Sequence, residues 1–157
     1  MLIEMLTNAV SLATLNGEIQ APELIDSIVD SYEVDAQGFL ENEAYNVHKL
    51  VTITRDAAVY GDATVAFYVD RIDAIVRNWD RVAQPIQLSA KARGTDHEAS
   101  RALAYEIRGL AIDLFNNHDF VEQSLRLVRL IQELFSELPD VADLADEDVG
   151  MLNSISS

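Results

Sequence analysis

Apolar side chains recur three and four residues apart along nearly the whole chain, and only 6 Gly and 3 Pro in 157 residues interrupt them. That spacing follows the 3.6-residue pitch of an α-helix, and strand-like alternation is nowhere sustained. The pattern predicts an all-α fold of six or seven helices packed as antiparallel hairpins, in a single domain over residues 1–157. Hydrophobic residues make up 49% of the chain, too many for a disordered acidic tail, and the length suffices for one sizeable core.

Turn signals divide the pattern. A first helix is expected over 2–15, stopped by Asn16-Gly17. Pro22 suits the first turn of a second helix, with Leu24, Ile28 and Tyr32 on one stripe and a break at 35–38. A longer helix is expected over 39–60, burying Leu40, Ala44, Val47, Val51 and Ala58. Gly61-Asp62 then reads as a turn and N-cap. Over 62–84, Val65, Val69, Ile72, Val76, Trp79 and Ala83 form one apolar stripe, and Asp73 and Arg77 stand at i, i+4 in the favourable order.

Pro85 is expected to end or kink that helix, leaving a short helical turn before Gly94. Thr95 to Glu98 has the form of a capping box opening a helix to about residue 116, and Asp119 is expected to cap another over 120–137. Replacing Thr95 or Asp119 by Ala is then expected to cost about 1 kcal/mol each. A last helix is expected to start near Pro139. The helices after Thr95 and after Asp119 carry apolar residues on more than one stripe, so each needs cover on two sides or offers an apolar face to a partner.

Charge is distributed unevenly. The net charge is -16, yet residues 1–48 hold nine acids and no Lys or Arg, residues 49–129 balance eleven bases with eleven acids, and residues 133–148 hold seven acids and no base. Such ends repel phosphate backbones and anionic lipid, which disfavours nucleic acid and membrane as partners and favours a basic protein surface. The apolar stretch 5–17 is too short to span a bilayer and follows Glu4 rather than a basic residue, so a cytoplasmic location is the expectation.

Reactive chemistry finds few candidates. With no Cys, a disulfide framework, a thiolate metal site and a cysteine nucleophile are excluded. The three histidines are His48, His97 and His118. His118-Asp119 has the form of the dipeptide that helical phosphohydrolases use at a metal, but Asp119 is read as a helix cap. There is no Glu-x-x-His for a di-iron site. Asp140, Asp143 and Asp146, with Glu147 and Asp148, read as a solvated acidic face, lacking the Gly turn and terminal Glu of a calcium loop. No cofactor is expected. Trp79, flanked by Arg77, Asp80 and Arg81, is either buried with its N–H satisfied or a partly exposed partner anchor. Tyr45, Tyr60, Tyr68 and Tyr105 read as core or boundary residues.

Residues 104–134 read as two helices joined by Asn116-Asn117-His118-Asp119. Ile107, Leu110, Ala111, Leu114 and Phe120 fall at the large-large-small-large-aromatic spacing of tetratricopeptide repeats, which this hairpin resembles. His118 and Gln123 stand where that family usually has a turn Gly and a small residue. The resemblance implies a peptide-binding scaffold in which Tyr105, Arg108, Ile112 and Asn116 line a groove. Residues 78–87 together with 107–148 also resemble helical C-terminal regions of larger bacterial proteins, some carrying a J domain. The His-Pro-Asp triplet of that domain is absent, so chaperone stimulation does not carry over.

The expected function is a non-catalytic protein-interaction or scaffold module. Its partner is another protein or peptide or a second copy of the chain, with Tyr105, Arg108, Ile112, Asn116 and Trp79 as contact residues. The alternative is an acidic effector or inhibitor on a basic surface. A metal-dependent helical hydrolase is third.

Overall fold

The computed structural model describes residues 22–156; the helix expected over 2–15 and its Asn16-Gly17 stop lie outside the described residues. Among the described residues all regular structure is helical, in the order α1 (Pro22–Ala57), a 3-10 turn (Ala58–Tyr60), α2 (Asp62–Ala92), α3 (Glu98–His118), α4 (Val121–Leu134) and α5 (Pro139–Ser156). Helix α1 packs chiefly on α2, α3 on α4, and α4 on α5, while α2–α4 and α1–α3 contacts tie the hairpins together.

Helix α1 runs unbroken for 36 residues, through the break expected at 35–38. The reason lies in its buried face: Val29, Ala36, Leu40, Val47 and Val51, with Ala58 just past its end, are all buried and stay in phase across Gly38, at the spacing of a coiled-coil seam. A mid-helix Gly costs about 1 kcal/mol, less than the burial of one Val or Leu contributes. The stripe expected on Leu24 and Ile28 is wrong, since both are exposed and Val29 beside them is buried.

Helix α2 likewise passes straight through Pro85 to Ala92. Its seam reads Val65, Val69, Ile72, Val76, Trp79, Ala83, Ile86 and Ala90, alternating steps of four and three, with every member buried. Pro85 deprives the Arg81 carbonyl of its helical donor, but the residues beyond it continue the same buried face, and that packing outweighs the lost bond. The Tyr32 hydroxyl fastens the hairpin by donating to the Val82 carbonyl at 2.7 Å.

The expected caps are placed differently. Gly61, at φ 108°, is itself the N-cap of α2, a conformation that needs Gly, and Asp62 falls in the first turn. Thr95 closes the end of α2, its amide and hydroxyl both donating to the Ala90 carbonyl, and α3 starts after His97 with no side-chain cap. Asp119 is not an N-cap: it ends α3 in the left-handed conformation at φ 56°, and its amide and that of Phe120 return to the Phe115 and Leu114 carbonyls. A tight reversal between α3 and α4 demands a positive φ there, which Asp tolerates better than most residues.

The double apolar stripes resolve by burial in α4. Leu125, Val128, Leu127, Leu130 and Ile131 are all buried, because α3, α5 and α2 cover the helix from different sides. Helix α3 buries Leu103, Ile107, Leu110, Ala111 and Leu114, and leaves Tyr105 and Ile112 exposed. Small residues allow close approach: the Ser124 hydroxyl donates to the Ala111 carbonyl at 2.8 Å.

Candidate functional site

Three of the residues assigned to a groove, Arg108, Ile112 and Asn116, do line one cleft, between α3 and α5, with Ala111, Phe115 and Met151. Its volume is about 200 Å³. Arg108 is committed across it to Asp148, Nε to Oδ2 at 2.7 Å and Nη2 to Oδ1 at 3.2 Å, a forked pair that straps α5 to α3. Tyr105 is exposed one turn away and does not line this cleft.

Trp79 is not an exposed anchor. It is fully buried, its indole N–H donates to the Leu40 carbonyl at 3.0 Å, and its ring packs near those of His97 and Phe135. A residue on the α2 seam has no route to the surface. Tyr45 and Tyr60 depart the other way, since both are well exposed.

A larger cleft, about 500 Å³, opens between α1 and the start of α3. Its apolar surface comes from Val34, Ala44 and Ala99, with buried Leu40 and Trp79 behind them, and Asp30, Glu33 and Glu41 supply its carboxylates. The seam of α1 explains why the space is there: continuing its steps of three and four places Glu33 between Val29 and Ala36, and Ala44 between Leu40 and Val47, a charged and a small residue where large apolar ones stand elsewhere. Sequence reading missed this site, and that interruption was its signal.

His97 forms one wall. Its Nδ1 lies 2.7 Å from Ser100 Oγ, and Ser100 Oγ in turn accepts from Gln87 Nε2 at 3.0 Å. Burial pulls the imidazole below its usual range, against the opposing pull of Glu33 and Glu98. A neutral ring with its proton on Nε2 would accept the Ser100 hydroxyl at Nδ1.

Five arginines are engaged in ion pairs away from this cleft. Arg101 pairs with Asp96 and Asp140, Arg108 with Asp148, Arg126 with Asp70, Arg55 with Asp113, and Arg77 with Asp73 and Glu133. Of the carboxyl-terminal acids, Asp140, Asp143, Asp146 and Glu147 are exposed as a solvated acidic face, while Asp140 and Asp148 also pair with α3 and Asp146 accepts from Gln132 on α4. Among the described residues none of the carboxylates lining the large cleft has an ion-pair partner; Glu41 accepts only from Gln37, at 2.9 Å.

A third feature has no sequence signal. Asp80 on α2 and Glu137 after α4 line a cavity of about 160 Å³, and each has a buried oxygen, Oδ1 and Oε1, without a hydrogen-bond partner. Burial lifts Asp80 to about 6, with Glu133 adding and Gln87 and Arg77 opposing. Burial lifts Glu137 to about 7, with Asp80 adding and its own backbone and Lys91 opposing. The two carboxyls come together only because the chain reverses after Leu134.

The histidines stand apart in their partners. His48 pairs with Glu106 at 2.6 Å, His97 with Ser100, and His118 stacks on Phe120. Among the described residues no group of three or more His, Asp or Glu is arranged to hold a metal ion, and no helix is long and apolar enough to cross a membrane. Comparison with protein-family models, curated proteins and solved structures finds no match to this chain.

Proposed function

We propose that this protein is a non-catalytic interaction module that engages another protein through the cleft between α1 and α3. One observation carries the reading: an apolar recess of about 500 Å³, walled by helices and edged by carboxylates without ion-pair partners among the described residues. Concave, largely apolar sites with a few fixed polar groups are where proteins take ligands, and helices hold such sites more firmly than loops do. Val34, the most exposed of the large apolar residues of α1, lies in this recess. The repeat-like hairpin of α3 and α4 supports a scaffold role in the same sense.

A photo-reactive amino acid at position 34, compared with one at exposed Glu122 on α4, tests this in lysate from the native host. A defined protein is expected to be cross-linked from position 34 and not from position 122. Equal labelling from both positions, or turnover of a small molecule by the purified protein, overturns the proposal.

A further inference from the structure

The cleft specifies the chemistry of what enters it. We infer that it takes a segment of a different protein in which an Arg or Lys stands beside a large apolar residue, the cation seated among Asp30, Glu33 and Glu41 and the apolar side chain on Val34, Ala44 and Ala99. This rests on the interaction reading above and narrows it.

Charge selects the occupant. Three carboxylates edge the recess, none of its lining residues is Lys or Arg, and burial disfavours the charged form of His97 in its wall. Carboxylates around an apolar recess repel one another and gain most from a cation that arrives with its own apolar stem. Arg meets this better than a bare ammonium ion, because its planar head is weakly hydrated and bonds carboxylates in a fork. The chain's own first 21 residues cannot supply the charge, since they carry Glu4 and Glu18 and no Lys or Arg. A second copy is a poor fit because two chains of net charge -16 repel each other.

Trp79, the single tryptophan, is buried directly behind the recess, close enough for its emission to report on it. The test uses a synthetic helical peptide without Trp or Tyr, with Leu and Arg on one face at positions i, i+3, i+4 and i+7. Two controls accompany it, one with every Arg replaced by Glu and one with every Leu replaced by Ser. Binding is followed by Trp79 fluorescence and by calorimetry on the full chain.

The Leu/Arg peptide is expected to bind and shift the Trp79 emission, and each control peptide to bind at least roughly tenfold more weakly. The triple variant Asp30→Asn, Glu33→Gln, Glu41→Gln is expected to lose at least roughly tenfold in affinity. A double variant on α5, Asp143→Asn with Glu147→Gln, is expected to change affinity less than about threefold, because only screened, long-range charge is altered. Circular dichroism of both variants is expected to match the parent.

Equal losses in the two variants overturn the inference, as does equal binding of the Glu peptide, or calorimetric binding that leaves Trp79 unchanged. A photo-cross-link from position 34 into residues 1–20 of the same chain overturns it too, making the occupant the chain's own segment. If position 34 captures a defined protein whose bound segment carries no Lys or Arg, the interaction reading stands and this assignment falls.

Discussion

Replacing Asp80 by Asn should make the protein more stable at neutral and alkaline pH, although it removes a charged residue from the boundary of the core. Folded, Asp80 titrates near about 6 against an ordinary 3.8, and Glu137 near about 7 against 4.5, burial being the first cause for both. A carboxyl that titrates higher folded than unfolded favours the fold when protonated and opposes it when ionised. The pair's contribution is therefore most favourable below about pH 4, declines as pH rises from about 4 to about 7, and is level above that. The displacement of Asp80 corresponds to about 3 kcal/mol against the charged form. Solvent reaching a partly exposed carboxyl cuts this to about 1–2 kcal/mol.

The amide introduced by Asp80→Asn keeps the shape of the carboxyl, cannot ionise, and relieves Glu137 of a like charge. Urea unfolding followed by Trp79 emission measures the difference. With a slope of about 2 kcal/mol per molar urea, the variant's midpoint should lie about 0.5–1 M above the parent at about pH 8. The two should converge as pH falls to about 4. A variant less stable than the parent at about pH 8, or a difference that does not change with pH, would refute the assignment of strain to this carboxyl pair.

Gly38→Ala should stabilise by about 0.5–1 kcal/mol, because a Cβ there meets nothing within 4 Å and the helix is continuous; calorimetric melting reads it, and a lowered Tm contradicts an unbroken α1. Asp119→Gly should stabilise by a few tenths to about 1 kcal/mol by relieving the left-handed backbone, whereas Asp119→Ala should destabilise; chemical denaturation checks the opposite signs. Trp79→Phe should cost about 2–3 kcal/mol, losing the bond to the Leu40 carbonyl and leaving a void beside Phe135 and His97, measured by urea unfolding monitored by circular dichroism. His97 should titrate below the usual histidine value in an NMR titration; a value above it contradicts the burial of the ring.

Much of the helical frame was legible because burial follows spacing. Every member of the stripe read over 62–83 is buried, the Asp73–Arg77 pair forms at 2.7 Å, and the two-sided apolar pattern of α4 matches a helix covered on several sides. Errors came where a local signal competed with that periodicity. Gly38 and Pro85 read as interruptions, yet the seams of α1 and α2 continue through both, and tertiary packing outweighs a propensity cost of about 1–3 kcal/mol. Thr95 and Asp119 have cap-like neighbours, but turn geometry uses one to close α2 and the other in a left-handed turn.

The site was less legible. Arg108, Ile112 and Asn116 share a helix face, so spacing grouped them, but nothing local reveals that Asp148, forty residues on, occupies Arg108. The larger cleft depends on contacts between α1, α2 and α3, and only the odd residues Glu33 and Ala44 within the α1 seam hinted at it. The Asp80–Glu137 meeting depends on the reversal after α4, which no short-range pattern encodes.

Whether contact is made in the carboxylate-edged recess is tested most directly by mapping backbone amide chemical shifts while the Leu/Arg peptide is added. Saturating changes are predicted, concentrated at residues 30–44 and 97–99 and at the Trp79 indole, and growing weaker as salt is raised. Changes centred instead on Tyr105 to Asn116 and Met151, or spread evenly over the acidic surfaces without saturating, would contradict contact there.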